Sequence, residues 1–191
     1  ICEADGSSAN IYLVGLMGAG KTTVGRQLAR RLHRRFVDSD QEIEARTGVR
    51  IPLIFDIEGE AGFRRRESQV LAELVREPNL VMATGGGAVL AAENRRCLRD
   101  NGIVVYLCAP PEVLYQRTRH DRNRPLLQVA DPLSRLKMLF AERDPLYREV
   151  AHLVVDSKEG AAGVLVQRIE EIEAAMLTLN VALGERQYPI F

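Results

Sequence analysis

The stretch Gly15-Leu16-Met17-Gly18-Ala19-Gly20-Lys21-Thr22 decides the fold. It fits the pattern G-x-x-x-x-G-K-[ST] and lies between a compact apolar run, residues 11–14, and a segment in which Val24, Leu28 and Leu32 recur at helical spacing. A strand, a glycine turn and a helix in that order form a cradle for phosphate. The glycines let the loop turn tightly, so that backbone N–H groups and the positive end of the helix converge on one anion. Lys21 adds a mobile cation for the outer phosphates, and Thr22 offers a hydroxyl to the coordination shell of Mg²⁺. A mere connecting turn gives no reason for a lysine at a helix start, where the dipole disfavours a cation unless an anion receives it.

Outward from the cradle, compact apolar runs at residues 80–83, 103–107 and 153–155, and a weaker one around Phe36 and Val37, read as strands. They alternate with helical segments, such as the one carrying Leu133, Leu136 and Phe140, and this alternation predicts an α/β fold with a parallel sheet. The 191 residues, 46% hydrophobic and 27% charged, suit one domain around one core. Lys plus Arg equal Asp plus Glu at 26 each, which excludes a global field that would draw the chain onto nucleic acid or an anionic membrane. The longest apolar run, 103–109, is too short to span a bilayer. Cys2, Cys97 and Cys108, like His33, His120 and His152, are scattered, so neither a disulfide framework nor a zinc site is expected and a reducing cytoplasm fits. The N-terminus lacks the plan of a signal peptide.

Four further features supply candidate site residues. Asp38-Ser39-Asp40 follows the weak strand, and residues two apart on an extended segment share a side, so both carboxylates could serve one site, Asp38 toward a metal and Asp40 toward an acceptor hydroxyl. Equally, Asp40 could cap a helix starting near Gln41. In the helix read at 63–75, Glu67 falls in the middle of the apolar face of Phe63, Val70, Leu71 and Leu74, with Arg64 at its edge. That pair is either a structural ion pair or a guanidinium held ready for a substrate carboxylate. Thr84-Gly85-Gly86-Gly87 follows a strand at its carboxyl end, where open sheets place ligand crevices, and forms either a bare wall for a small polyol or a tight turn. Residues 119–131 form a polar lid candidate; Arg117, Arg119, Arg122 and Arg124 gather there, with Arg124 anchored by Pro125-Leu126-Leu127.

Taken in order, these motifs, together with Ile51-Pro52, Gly59-Glu60 and Pro145-Leu146-Tyr147-Arg148, resemble the bacterial shikimate kinases from Asn10 to about Ala175. The resemblance implies a P-loop kinase fold of the nucleoside-monophosphate-kinase type, a five-stranded parallel sheet flanked by helices, with a lid. It implies ATP and Mg²⁺, with Gly18, Ala19, Gly20, Lys21, Thr22, Thr23, Arg117 and Arg124 on the nucleotide and Thr22 and Asp38 on the metal. Asp40, Arg64, Gly86, Gly87 and Arg148 would hold shikimate, Phe55 and Phe63 would line its pocket, and Glu67 would steady Arg64. The implied reaction is transfer of the γ-phosphoryl of ATP to the 3-hydroxyl of shikimate, with Asp40, Lys21 and Arg124 catalytic. The implied protein is a cytoplasmic monomer without nucleic-acid or membrane partners.

Residues 1–9 and 176–191 lie outside the resemblance. The chain starts at Ile1, as a fragment would, and the segment from Leu179 to Ile190 resembles the opening strand of a 3-dehydroquinate synthase, which suggests a truncated fusion. A gluconate or nucleoside-monophosphate kinase would share the cradle but need another acceptor pocket. A nucleotide-dependent switch protein would need base-specificity motifs such as N-K-x-D, and none is present.

Overall fold

The computed structural model describes residues 9–120, 127, 129–157 and 162–184, the side chains of the last helix only to 175. In chain order the elements are β1 (Asn10–Val14), α1 (Lys21–Arg31), β2 (Arg35–Asp38), α2 (Ser39–Thr47), α3 (Ile51–Leu74), β3 (Leu80–Ala83), a 3₁₀ turn (Ala88–Leu90), α4 (Ala92–Asn101), β4 (Gly102–Cys108), α5 (Pro111–Thr118), α6 (Pro132–Val150), β5 (Leu153–Asp156) and α7 (Ala162–Gly184). The five strands pair in the order β2-β3-β1-β4-β5, all parallel.

Burial explains which strands were easy to read. Every residue of β1 and β3 is buried, because helices cover both faces of the sheet there, and such strands read as near-continuous apolar runs. The edge strand β2 buries only Val37 fully, which is why its sequence signal is weak. Helices α1 and α7 pack together on one side, while α3, α4 and α6 contact one another or the strands on the other.

The chain leaves β1 toward one edge of the sheet and leaves β4 toward the other. Carboxyl ends that diverge in this way open a crevice between them, and the loop after β1 sits there. Three further turns, after β2, β3 and β4, reach the same rim.

Asn10 holds the opposite end of the sheet. Its buried amide nitrogen donates to Glu77 O at 2.7 Å and to Tyr12 Oη at 3.2 Å, and its oxygen accepts from Leu80 N at 2.8 Å. One side chain thereby satisfies main-chain groups at the entry to β3 that no strand partner can reach.

Two readings of the sequence change. The helix read at 63–75 is the second half of α3, which starts at Ile51 and is kinked at Gly59, where φ is 69°. The segment from Leu179, expected to open a strand, continues α7 as helix to Gly184; its Leu and Ala residues are good helix formers and extend the preceding turns.

Replacing Asn10 by Ala strands two backbone groups in a buried place, and unfolding in urea should show a loss of about 1–3 kcal/mol.

Candidate active site

The glycine loop runs from the end of β1 to α1. Gly18 has φ 80°, and a Cβ there would lie 2.7 Å from Thr118 Cγ2, so both conformation and space require glycine. Gly20, also left-handed, forms the N-cap from which Lys21 begins α1. The ammonium of Lys21 donates to Gly15 O at 2.7 Å and Leu16 O at 3.0 Å and so lies folded over the loop. Arg117, at the end of α5, donates to Gly18 O at 3.3 Å and Ser157 O at 2.6 Å, which ties the outer flank of the loop to the turn after β5.

Asp38 and Asp40 do converge, though not along an extended segment. The strand stops at Asp38 and α2 begins at Ser39, so Asp38 is the cap: its Oδ1 accepts from Asp40 N at 3.1 Å and Gln41 N at 3.4 Å. The alternative in which Asp40 caps the helix is therefore not realised: Asp38 is the cap. Its second oxygen accepts from the Thr22 hydroxyl at 2.9 Å, which brings two hard oxygen ligands together beside the loop. That donor set suits Mg²⁺, which takes one or two protein oxygens and completes its shell with water and phosphate. Among the described residues no three His, Cys, Asp or Glu gather as a metal cage.

Asp40, in the first turn of α2, points inward. Burial, followed by the nearby charges of Glu67 and Asp38, pushes its carboxyl up to about 6, while Lys21 and Arg64 pull the other way. Its Oδ1 is buried without a hydrogen-bond partner. The same holds for Glu67 Oε1, and both atoms face Gly85, where a Cβ would lie 2.6 Å from the first and 2.9 Å from the second. Gly85 N donates to Ser39 Oγ at 3.0 Å, so the start of α2 is joined to the glycine triplet.

Glu67 is buried as its place on the apolar face predicts, and its Oε2 accepts from Arg64 Nη1 at 2.7 Å. Arg64 Nη2 donates to Glu60 at 3.1 Å, its guanidinium sits 5.2 Å from the Phe63 ring centroid, and its Nε has no partner. Phe63 packs on Phe55 with centroids 4.8 Å apart. A Cβ on Gly87 would fall 2.4 Å from the Arg64 nitrogens. The bare glycine wall is thus what admits the guanidinium.

A single cavity of about 810 Å³ joins these parts, running from Gly18, Lys21 and Thr22 past Asp38 and Asp40 to Arg64 and Gly87. Thr23, Phe55, Phe63, Glu67, Gly86 and Arg117 also line it. Ala19 is buried behind the loop. Arg124 and Arg122 lie outside the described residues.

Arg148 is not in this cavity. It is turned outward, its side chain 52% exposed, with Nε on Asp144 Oδ2 at 2.8 Å. The arginine of α6 that does line the cavity is Arg143, one turn and a half earlier, 4% exposed and with an unpartnered Nε. The helical phase is the cause: Leu136, Leu139, Arg143, Tyr147 and Val150 form the buried stripe of α6, and Arg148 is one step round from it. That stripe was visible in the sequence and would have found Arg143.

Comparison with known proteins points to one family. The family described as shikimate kinase matches residues 17–173. A shikimate kinase of Dechloromonas aromatica is 66% identical over 158 residues, covering 83% of this chain and 86% of its own. One from Burkholderia lata is 60% identical over 167 residues, covering 87% and 91%. Among solved structures, a shikimate kinase from Acinetobacter baumannii in complex with shikimate superposes with a TM-score of 0.84 at 53% identity, covering 94% of this chain and 96% of that one. A gluconokinase from Sinorhizobium meliloti, at 18% identity and a TM-score of 0.58, shares the fold.

The raised Asp40 carboxyl has a consequence for stability. The folded protein binds its proton more tightly than the unfolded chain, so this contribution is fully present below about pH 4 and is lost as pH rises through 6. At pH 8, without ligands, Asp40→Asn should therefore be more stable than the parent by roughly 3 kcal/mol or less, and the gain should vanish near pH 4 in parallel urea titrations.

Proposed function

The chain belongs to the shikimate kinase family, and on that premise we propose that it transfers the γ-phosphoryl group of ATP to the 3-hydroxyl of shikimate, giving shikimate 3-phosphate and ADP. One observation carries the reading. The cavity that begins at the phosphate loop ends at two guanidinium groups, Arg64 and Arg143, with the buried carboxylate of Asp40 between. An acidic polyol fits that order: its carboxylate on the arginines, its ring against Phe55, Phe63 and the glycine wall of Gly86 and Gly87, its hydroxyl toward Asp40.

In the reaction the acceptor hydroxyl gives its proton to Asp40 as its oxygen bonds to phosphorus and the bond to the bridging oxygen of ADP breaks. Gly18, Ala19, Gly20 and Thr23 shape the loop that holds the polyphosphate. Lys21 leaves the loop carbonyls for the phosphates, and Arg117 lies over the nucleotide side. Arg124, outside the described residues, is assigned to the transferring group on its sequence setting alone. Thr22 and Asp38 would hold Mg²⁺, whose positive charge offsets that of the phosphates. Glu67 fixes Arg64, so that its remaining N–H groups face the substrate.

We place the kinase core at 10–175, and read the protein as a monomer. No described helix is long and apolar enough to cross a membrane. Cys97 and Cys108 are free thiols, and a reducing cytoplasm is the setting that suits them.

ADP release coupled to a reporter should be stimulated by shikimate and not by gluconate or nucleoside monophosphates. Equal stimulation by gluconate would reject the assigned acceptor. Asp40→Asn should nearly abolish turnover with nucleotide still bound. Arg143→Ala should raise the shikimate KM about tenfold or more, as expected for a lost charge-assisted contact. Arg148→Ala should change it by less than about threefold, since that arginine is solvated.

A further inference from the structure

Tyr147 belongs to the buried stripe of α6, and its hydroxyl does something a core residue has no need to do. It donates to Gly86 O, in the wall of the cavity, although Tyr147 lies on a helix and Gly86 in a loop 61 residues away. The ring is fully buried. On the same helix, one turn back, the charge of Arg143 acts on the phenol. Burial pushes the phenol well above its ordinary range, so it stays a donor at working pH.

The planarity of the peptide bond gives this contact its meaning. The carbonyl of Gly86 and the N–H of Gly87 belong to one trans peptide and point in opposite directions. Pinning the oxygen to α6 therefore aims the Gly87 N–H away from α6, toward the side where the Arg64 guanidinium lies against Gly87. Glycines at 86 and 87 offer little resistance of their own to rotation of that peptide plane. The tyrosine supplies it.

A brace stands behind the ring. Tyr147 stacks on Tyr106 with centroids 4.9 Å apart, and Tyr106 donates to Asp144 Oδ1 at 2.8 Å. The other Asp144 oxygen takes Arg148, whose guanidinium lies 5.8 Å from the Tyr106 centroid. Pro145 sits in this turn of α6 and lacks a main-chain donor, so one rung of the helix ladder is missing beside the brace.

We propose that Tyr147 is a positioning residue of the acceptor site, aiming the Gly87 N–H at the acceptor, with Tyr106 and Asp144 as its brace. The proposal deepens the shikimate kinase reading and rests on it. It explains why Pro145-Leu146-Tyr147-Arg148 stands among the motifs although Arg148 does not reach the cavity.

The test is Tyr147→Phe, which keeps the ring and its stack and removes only the hydroxyl. The shikimate KM should rise about tenfold, and the shikimate Kd from equilibrium titration should rise with it, while the KM for ATP stays within about twofold and kcat within about threefold. A variant that loses thermal stability but keeps the parental shikimate KM shows that the hydroxyl is structural only, and overturns the proposal. If Tyr147→Phe does not fold, Tyr106→Phe frees the stacked ring from Asp144. It should give the same split at about threefold, and an unaltered shikimate KM there overturns the proposal as well. Failure of the parent protein to phosphorylate shikimate would sink the functional reading together with this one; a parent that does so beside an unaffected variant sinks this one alone.

Discussion

Keeping Asp40 and Glu67 out of water beside Arg64 and Arg143 is the constraint from which the rest of the site follows. Two carboxylates and two guanidinium groups share one wall, and each of the four has a buried atom without a hydrogen-bond partner. Such a cluster is tolerated only where surrounding structure leaves its members no other place to go. Here α2, α3 and α6 each fix one or more of them, and the sheet fixes the helices. The folded state thus stores polarity aimed at a charged, hydroxylated acceptor, and the site is arranged before that acceptor arrives.

Asp38 links this wall to the phosphate loop. One of its oxygens starts α2 and so sets where Asp40 points; the other reaches the Thr22 hydroxyl at the start of α1. A single carboxylate therefore couples the position of Asp40 to the position of the Thr22 hydroxyl. The Ser39 hydroxyl adds the glycine triplet to the same linkage. Three turns at one rim of the sheet are in this way tied into a rigid frame, while the long helices only support it.

How much of this was legible depended on whether a residue's role was written in local spacing. The phosphate loop was, because glycine, lysine and threonine must fall at fixed intervals between strand and helix. Glu67 was, because a charge in the middle of an apolar stripe has few explanations. Arg143 was equally visible by that logic and was passed over in favour of Arg148, which belongs to a more conspicuous motif. The cap admitted two readings because a helix start is uncertain by a residue or two; the helix begins at Ser39 rather than near Gln41, so the cap falls to Asp38. Nothing local revealed the bond from Tyr147 to Gly86, since it joins segments that only the fold brings together. The weak signal of β2 likewise follows from its place at the edge of the sheet.

The intimacy of Gly87 with Arg64 bears on how this enzyme could acquire new acceptors. Because a methyl group at position 87 would occupy the space of the guanidinium, any side chain there requires Arg64 to move. Evolution or a protein engineer seeking a bulkier or uncharged alcohol would find room for gradual change on the aromatic side, at Phe55 and Phe63. A change on the glycine face is coupled to the acceptor's carboxylate partner, because whatever is added at position 87 displaces Arg64.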